Sequence, residues 1–260
     1  MRDIQWFPGH MAQALRQLER DLPAIDVVVE VVDARVPISG RNLALAAIAA
    51  RKRHVVALAR EDLADPHATL RWLEHLRAHD ETAIALDAKS PGSLSHLRAL
   101  LADRVDERKT SRVVVLGVPN AGKSTVINGL IRKRVARIED RAGVTRAAQW
   151  FRIGPALEVM DTAGILMPKI ETAQAQWMLA LTGALPRARY DPEDVVAQFS
   201  AWLPGSPSRR MPIPDLAGFA EARGFVRRGN VADTHNAAWA YIKAFNDGGF
   251  GRLTLEWPKE

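Results

Sequence analysis

The stretch VVVLGVPNAGKST, residues 113–125, decides the fold class of this 260-residue chain. Its apolar first part, residues 113–117, predicts a buried β-strand, and a helix is predicted to begin at Gly122. Between them, residues 117–125 match the pattern G-x-x-x-x-G-K-[ST], for which a chance match in this chain has odds of about one in a few hundred. We therefore predict a phosphate-binding loop, in which backbone N–H groups and a helix N-terminus surround phosphate oxygens.

Each part of this loop has an expected task. Lys123 is expected to reach the β- and γ-phosphates of a nucleoside triphosphate, and the Ser124 hydroxyl to ligate Mg²⁺. A glycine-rich turn without any ligand is the competing interpretation, and the flanking strand and helix disfavour it. The remaining residues of the loop predicted to contact the nucleotide are Pro119, Asn120, Ala121, Gly122 and Thr125.

A second group of residues downstream fits the same chemistry. An apolar strand at residues 157–160 ends in Asp161-Thr-Ala-Gly164. Asp161 is expected to hold Mg²⁺, and the N–H of Gly164 to contact the γ-phosphate. The polar loop at residues 141–146 contains Thr145, a candidate switch ligand for Mg²⁺. Each signal alone is weak, but at these spacings from a phosphate loop they predict a nucleoside triphosphatase of GTPase type.

The alternation of segments along the chain predicts an α/β fold. Further apolar runs at residues 26–33, 54–58, 83–86 and 150–153 are typical of strands in a parallel sheet that is covered on both faces. We predict a doubly wound, mostly parallel sheet in residues 1–186 and a small, mostly helical C-terminal domain in residues 187–260. The predicted helices cover residues 42–52, 66–79, 93–105, 191–203, 213–225 and 231–245.

Composition excludes several classes of protein. The chain has no cysteine, which removes disulfides, thiolate zinc sites and cysteine nucleophiles. Its longest apolar run is about half of the roughly 18 residues that a membrane span needs, and its first residues lack the apolar block of a signal peptide. We therefore expect a cytoplasmic protein without membrane contact. The net charge of +6 favours an anionic partner, nucleic acid first.

The order of the motifs is unusual. In an ordinary GTPase the guanine-reading elements NKxD and SAK follow the phosphate loop, but nothing after Gly164 resembles them. Upstream, Ala59-Arg-Glu-Asp62 follows one apolar strand and Asp87-Ala-Lys89 follows the next. The two elements would take these positions in a circularly permuted domain, which is tolerable because the termini of compact domains often lie close together.

Three further segments carry a family resemblance. They are Trp6-Phe-Pro-Gly-His-Met11, Asp33-Ala-Arg-Val-Pro37 and, near the end of the chain, Gly251-Arg-Leu-Thr-Leu-Glu256. Together with the reordered motifs, they resemble the YlqF/RbgA family of circularly permuted GTPases, also called ribosome biogenesis GTPase A. The resemblance implies GTP and GDP as ligands and a role in late assembly of the large ribosomal subunit. It also implies that the helical C-terminal domain contacts ribosomal RNA of the pre-ribosomal particle, with no DNA partner expected.

The guanine-reading residues follow from the same resemblance. Asp62 is expected to accept hydrogen bonds from guanine N1 and its exocyclic amine, and Arg60 to lie along the base. Ala88 and Lys89 would complete the base site. Ala59, however, stands where the family carries an asparagine whose amide ties the guanine loop to the phosphate loop. One lost buried hydrogen bond costs about 1–3 kcal/mol, so weaker GTP binding is expected.

A second function therefore stays open at this point. An RNA-binding assembly factor with weakened or relaxed nucleotide specificity, accepting ATP as well, would also fit Ala59. Asp87, in place of the serine of SAK, is a further departure from the family pattern. The intact phosphate loop and Thr145 favour the GTPase.

The group that orients the attacking water is the least determined part of the site. Ile165 stands where many GTPases carry a glutamine, and an aliphatic side chain cannot orient water. The resemblance assigns this role to His10, once ribosome binding brings the N-terminal segment over the γ-phosphate. A surface position or a contact to RNA phosphate is the alternative. Asn120 either stabilises the phosphate loop or binds K⁺, as in some GTPases with asparagine there.

Other charged residues have two interpretations each. Asp33 and Arg35, at the end of a strand, form either a structural ion pair or part of the site. The arginines of the C-terminal domain either follow an RNA backbone or form solvated helix faces. These arginines are Arg209, Arg210, Arg223, Arg227 and Arg228.

Overall fold

The fold is built on one six-stranded sheet. The computed structural model describes residues 4, 6–42, 45, 47, 50–102, 110–131, 149–153, 157–162, 164–165, 169–208, 212–227 and 231–259. Within these residues the strands of the sheet lie in the order β3-β2-β1-β4-β6-β5. Neighbouring strands are parallel, except that β5 runs antiparallel to β6. The strands are β1 (Val27–Asp33), β2 (Arg53–Ala59), β3 (Thr82–Leu86), β4 (Ser111–Leu116), β5 (Gln149–Ile153) and β6 (Leu157–Asp161). The predicted α/β class with a mostly parallel sheet is confirmed.

The central strands are buried because both faces of the sheet are covered. Every residue of β1 is buried, and β4 is buried except at Arg112. A strand that is apolar on nearly every residue can only be stable in such a layer. The helices of this part are α1 (Gly9–Asp21), α2 (Pro66–Ala78), α3 (Pro91–Ala102) and α4 (Lys123–Ile131). The helix predicted at residues 42–52 falls partly outside the described residues.

The start of α2 shows how local chemistry fixes a boundary. Asp65 caps this helix, because its carboxylate accepts hydrogen bonds from the N–H groups of His67 and Ala68 at 2.8 and 3.2 Å. Pro66 occupies the first turn, where its missing N–H costs nothing. The helix then buries Trp72 and Leu76 against the sheet.

The sheet has a topological switch point between β1 and β4. From β1 the sheet continues through β2 and β3 on one side, and from β4 it continues through β6 and β5 on the other. Such diverging connections leave a crevice at the carboxyl ends of the two strands, where open α/β sheets bind ligands. Gly117 follows β4 at this edge, and a Cβ there would lie 2.3 Å from the carbonyl oxygen of Val31 in β1. Only glycine permits this close approach of the two backbones.

The C-terminal part is mostly helical but not free of strands. It contains α5 (Ala173–Leu181), α6 (Pro192–Trp202), α7 (Leu216–Ala222) and α8 (Thr234–Asn246). Strands β7 (Val226–Arg227) and β8 (Val231–Ala232) form a short antiparallel pair between α7 and α8, which no sequence signal predicted. The rings of Phe199 in α6 and Phe245 in α8 lie 5.4 Å apart, which joins the two helices through their aromatic core.

Among the described residues no helix has both the length and the apolarity that a membrane crossing requires. The division of the chain at residue 186 stays a prediction.

Candidate nucleotide-binding site

A cavity of about 800 Å³ lies at the carboxyl edge of the sheet. Segments from distant parts of the chain line it: residues 59–63 after β2, residues 87–89 after β3, and the phosphate loop with the start of α4. The two predicted guanine-reading elements and the phosphate loop therefore share one cavity, although up to about sixty residues separate them along the chain. From these three segments the lining includes Ala59, Arg60, Asp62, Leu63, Asp87, Ala88, Lys89, Asn120, Gly122 and Thr125.

The phosphate loop is tightly wound around its own lysine. Asn120 and Gly122 both have positive φ angles, of 57° and 106°. Lys123 is 7% exposed, and its Nζ donates to the carbonyl oxygen of Val118 at 2.9 Å. The ammonium group thus lies inside the curve of the loop, at the start of α4. A positive charge beside a helix N-terminus is suited to a polyphosphate.

Gly164 packs directly against this loop. A Cβ on Gly164 would lie 2.7 Å from both the N and the Cα atom of Pro119. The following residue, Ile165, is buried, and its N–H donates to the carbonyl oxygen of Gly117 at 3.2 Å. These contacts hold the backbone after β6 beside the phosphate loop, as expected for a segment that senses the γ-phosphate.

Two of the predicted magnesium ligands, Ser124 and Asp161, belong to elements that the structure describes. Ser124 stands in the first turn of α4, and Asp161 ends β6 opposite Val115 of β4 in the register of the sheet. The Thr162 hydroxyl donates to the carbonyl oxygen of Val115 at 2.9 Å, which fixes the end of β6 next to β4. Hydroxyl and carboxylate oxygens are the ligands that Mg²⁺ prefers. Thr145 lies outside the described residues.

The two guanine-reading elements contact each other. The Nζ atom of Lys89 lies 3.4 Å from the Asp62 carboxylate, which is about one-third exposed at the cavity. Asp87 accepts a hydrogen bond from the N–H of Lys89 at 2.9 Å. A serine hydroxyl closes such a turn in the same way, so the aspartate at position 87 keeps the shape of the loop.

Arg60 joins the guanine loop to the phosphate loop. Its backbone is left-handed (φ 58°, ψ 35°), and its Nη2 donates to the carbonyl oxygen of Asn120 at 3.0 Å. The side-chain amide of Asn120 in turn donates to the carbonyl oxygen of Gly183, just after α5, at 2.7 Å. The phosphate loop is therefore held between the guanine loop and the helical part of the chain. This bond gives Asn120 a loop-stabilising contact, and K⁺ binding stays a prediction.

Asp33 and Arg35 form a buried ion pair at the end of β1. The guanidinium Nε and Nη2 atoms donate to the two carboxylate oxygens at 2.9 and 2.7 Å, and the side chains of Arg35 and Asp33 are 1% and 4% exposed. Burial alone would raise the pKa of the Asp33 carboxyl, but Arg35 and, more weakly, Arg60 outweigh it and hold this pKa below its usual value. The carboxylate is therefore charged at neutral pH and structural.

Sequence reasoning did not anticipate the contribution of the C-terminal segments to this site. Arg252 donates to the backbone carbonyls of Glu61 and Ala64 at 2.7 and 2.8 Å, and the N–H of Leu253 donates to Leu63 at 3.0 Å. These bonds from the C-terminal segment fix the backbone of the guanine loop. The segment at residues 251–256, which carries part of the family resemblance, is the sequence signal from which this contribution could have been inferred. Other cavity-lining residues from the C-terminal part carried no such signal: Thr182, Gly183, Leu185, Pro186, Arg187, Ala188, Tyr190, Ile242, Lys243, Asn246 and Asp247.

His10 stands apart from the cavity. It lies in the first turn of α1, is exposed, and its ring centroid is 6.2 Å from that of Trp6. It is not among the described residues that line the cavity. The structure thus brings together the phosphate loop and both guanine elements, but not the proposed water-orienting histidine.

A parallel sheet whose phosphate loop follows its guanine-reading elements defines a circularly permuted P-loop GTPase. The sequence model described as "50S ribosome-binding GTPase" matches residues 112–190. Ribosome biogenesis GTPase A of Bacillus cereus is 34% identical over 280 aligned residues, which cover 99% of this chain and 95% of that protein. The chain therefore belongs to the ribosome biogenesis GTPase A family and is a GTPase.

Two further relatives agree with this assignment over nearly the full chain. Ribosome biogenesis GTPase A of Thermotoga maritima is 30% identical, with 99% of this chain and 95% of that protein covered. The crystal structure described as GNP-bound YlqF from T. maritima superimposes with a TM-score of 0.74 at 28% identity and covers 95% of this chain and 99% of that one. The similarity in fold therefore extends through the helical part of the chain.

The contact between Gly164 and Pro119 yields a testable prediction. In the variant G164A the new methyl group meets the phosphate-loop backbone, and overpacking of this kind costs about 1–3 kcal/mol. We expect the affinity for a fluorescent GDP analogue, measured by titration, to fall about tenfold. The control is G205A, because a Cβ on Gly205 has no atom within 4 Å. Equal affinity of the two variants would contradict the tight packing of Gly164 on the loop.

Proposed function

We propose that this chain binds GTP with Mg²⁺ in the cavity, hydrolyses it to GDP and phosphate, and couples this reaction to assembly of the large ribosomal subunit. The observation that carries the proposal is the shared cavity of the phosphate loop and both guanine-reading elements. Family membership supports the same conclusion. A purely RNA-binding factor with a vestigial nucleotide site is not favoured, because Asp62 and residues of the phosphate loop line one cavity.

Different residues of the cavity bind the phosphates and the base of the nucleotide. Lys123 and the backbone of residues 117–125 take the phosphates, helped by the partial positive charge at the start of α4. Asp62 accepts hydrogen bonds from the guanine edge, while Arg60, Ala88 and Lys89 border the base. The ion pair between Lys89 and Asp62 is exposed on its lysine side, so its rearrangement for a base costs little.

Magnesium would be held by Ser124, Asp161 and Thr145. When bound, the ion neutralises negative charge on the phosphates and supplies an electrophile for phosphoryl transfer. The chain would contribute Ser124 from the first turn of α4 and Asp161 from the end of β6, two positions near the same edge of the sheet. We also include K⁺ in the proposal, because an ion near Asn120 would add positive charge at the phosphates.

The proposed partners are the pre-ribosomal large subunit and its ribosomal RNA, in the cytoplasm. The net charge of +6 and the pI near 10 suit a polyanionic partner. The relatives are named for ribosome biogenesis, and the matching family description is for proteins that bind the 50S particle. We propose that residues 187–260 supply RNA contacts, with the exposed side chain of Arg223 among them.

The phosphate-loop assignment predicts the loss of hydrolysis in two variants. K123A removes the ammonium group that neutralises the phosphates, and S124A removes a magnesium ligand. We expect either change to lower the rate of phosphate release from GTP by more than about a hundredfold. K169A is the control, because Lys169 is 71% exposed and pairs only with the equally exposed Glu171 among the contacts described. Wild-type rates in K123A or S124A, with a folded protein confirmed by circular dichroism, would refute the assignment.

We propose that His10 orients the attacking water. The supporting observation is that Ile165, which follows Gly164, is apolar and buried, so a polar group from another segment must act on the water. His10 is exposed on α1 and outside the cavity, so it needs a rearrangement of the N-terminal segment to reach the γ-phosphate. Binding to the ribosomal particle would drive this rearrangement.

This role predicts a change in hydrolysis without a change in binding. In H10A we expect particle-stimulated GTP hydrolysis to fall about a hundredfold, in the range of other general-base losses, while the affinity for GDP stays unchanged. The matched control is H96A, which removes an exposed histidine on α3. Single-turnover phosphate release with purified large subunits measures the effect. Stimulation of H10A equal to that of H96A would exclude His10 from the reaction.

A further inference from the structure

The backbone that follows Gly164 is fixed from two sides. The N–H of Ile165 donates to the carbonyl oxygen of Gly117 in the phosphate loop, and the carbonyl oxygen of Ile165 accepts a hydrogen bond from Nδ2 of Asn42, each at 3.2 Å. Asn42 and Ile165 are both buried. A buried carbonyl group without a donor is costly, so the Asn42 amide meets a demand that the backbone at this point creates.

The loop that carries this amide, residues 38–42, is itself anchored at both ends. At its start the carboxylate of Glu256 accepts hydrogen bonds from the N–H of Ser39, at 3.0 Å, and from the Ser39 hydroxyl. Near its end the guanidinium group of Arg41 pairs with the buried carboxylate of Glu30 in β1 at 2.9 Å. Charge-assisted bonds of this kind are stronger than neutral ones. The last residue of the loop is therefore held in a defined position.

The backbone that Asn42 holds adjoins the expected contact to the γ-phosphate. Gly164 directly precedes Ile165, and it packs against Pro119 of the phosphate loop. Because each peptide unit is planar, the two bonds of Ile165 leave Gly164 only its own two torsions with which to direct its N–H. A donor that is fixed before the ligand arrives needs no ordering when it binds. The amide of Asn42 thus prepares this N–H for a γ-phosphate.

We propose that Asn42 is a positioning residue that holds Gly164 beside the phosphate loop and thereby raises the affinity for GTP relative to GDP. The inference rests on the proposed function, since it assumes that the N–H of Gly164 contacts the γ-phosphate of a bound GTP. Asn42 acts through the backbone of Ile165 and takes no part in phosphoryl transfer. GDP has no γ-phosphate, so its binding does not depend on this amide.

The variant N42D tests the proposal, because aspartate has the shape of asparagine and keeps an acceptor oxygen but lacks the Nδ2 donor. The affinities for GDP and for a non-hydrolysable GTP analogue are measured by displacement of a fluorescent GDP analogue with Mg²⁺. We expect the affinity for the GTP analogue to fall about tenfold, and that for GDP to stay within about threefold of the wild type. N42A, which introduces no charge, should shift the ratio of the two affinities in the same direction.

The matched control is N236D, which removes an amide donor at an exposed position of α8, where Asn236 binds Asp233 at 2.7 Å. It should keep the wild-type ratio of the two affinities. Circular dichroism checks that each variant is folded, and N42A decides the matter if N42D is not. A wild-type ratio in the folded variants, whether both affinities stay or fall together, would overturn the role of Asn42 and leave the proposed function intact. Failure of the wild type to bind any guanine nucleotide would instead overturn the proposed function, and this inference with it.

Discussion

The buried ion pair between Asp33 and Arg35 is the interaction on which the carboxyl edge of the sheet depends. It lies at the end of the central strand, where Arg35 also donates to the Asn246 side chain of α8 at 3.0 Å and lies 4.8 Å from the ring of Phe245. Two opposite charges out of water are tolerated only when their geometry is bidentate and their remaining donors are used. Removing one partner would leave an uncompensated buried charge, which costs about 3–5 kcal/mol. The helical part of the chain is therefore anchored at the edge that forms the nucleotide cavity.

The same anchoring explains how a permuted chain completes its site. In this chain the guanine loop precedes the phosphate loop, and it carries no side-chain amide at Ala59. Instead, Arg252 binds its backbone from the C-terminal segment, and Arg60 binds the phosphate loop. Asn120 adds a bond from the phosphate loop to the backbone after α5. The helical part of the chain is thus a structural component of the proposed nucleotide site, and its proposed contacts with RNA would act on the same network.

Much of this architecture could be predicted from the sequence, and the exceptions have physical reasons. Buried parallel strands are continuous apolar runs, so β1 and β4 were identifiable, and backbone constraints make the phosphate loop recognisable from its glycines and lysine. In contrast, α5 is buried all round from Gln176 to Leu181, and a helix without a polar face shows no period of 3.6 residues. The two-residue strands β7 and β8 are too short to show alternation.

Within the site, the limits of prediction lie in side-chain conformation. Asp62 and Lys89 were predicted to belong to one base site, and the structure places their side chains 3.4 Å apart because the carboxyl ends of parallel strands share one edge. The bond from Arg60 to Asn120 depends on a left-handed backbone and one particular rotamer, which no sequence pattern encodes. The loss of an amide at Ala59 predicts weaker binding of GTP, and this stays a prediction.

The central claim is that these distant elements form one site that selects guanine. It is tested most directly by competition of unlabelled GTP, GDP and ATP against a fluorescent GDP analogue bound to the purified protein with Mg²⁺ and K⁺. The account predicts that GTP and GDP displace the analogue, and that ATP at about a hundredfold excess over GDP does not, because Asp62 accepts hydrogen bonds that adenine cannot donate. Equal competition by ATP, or the absence of any nucleotide binding, would contradict it.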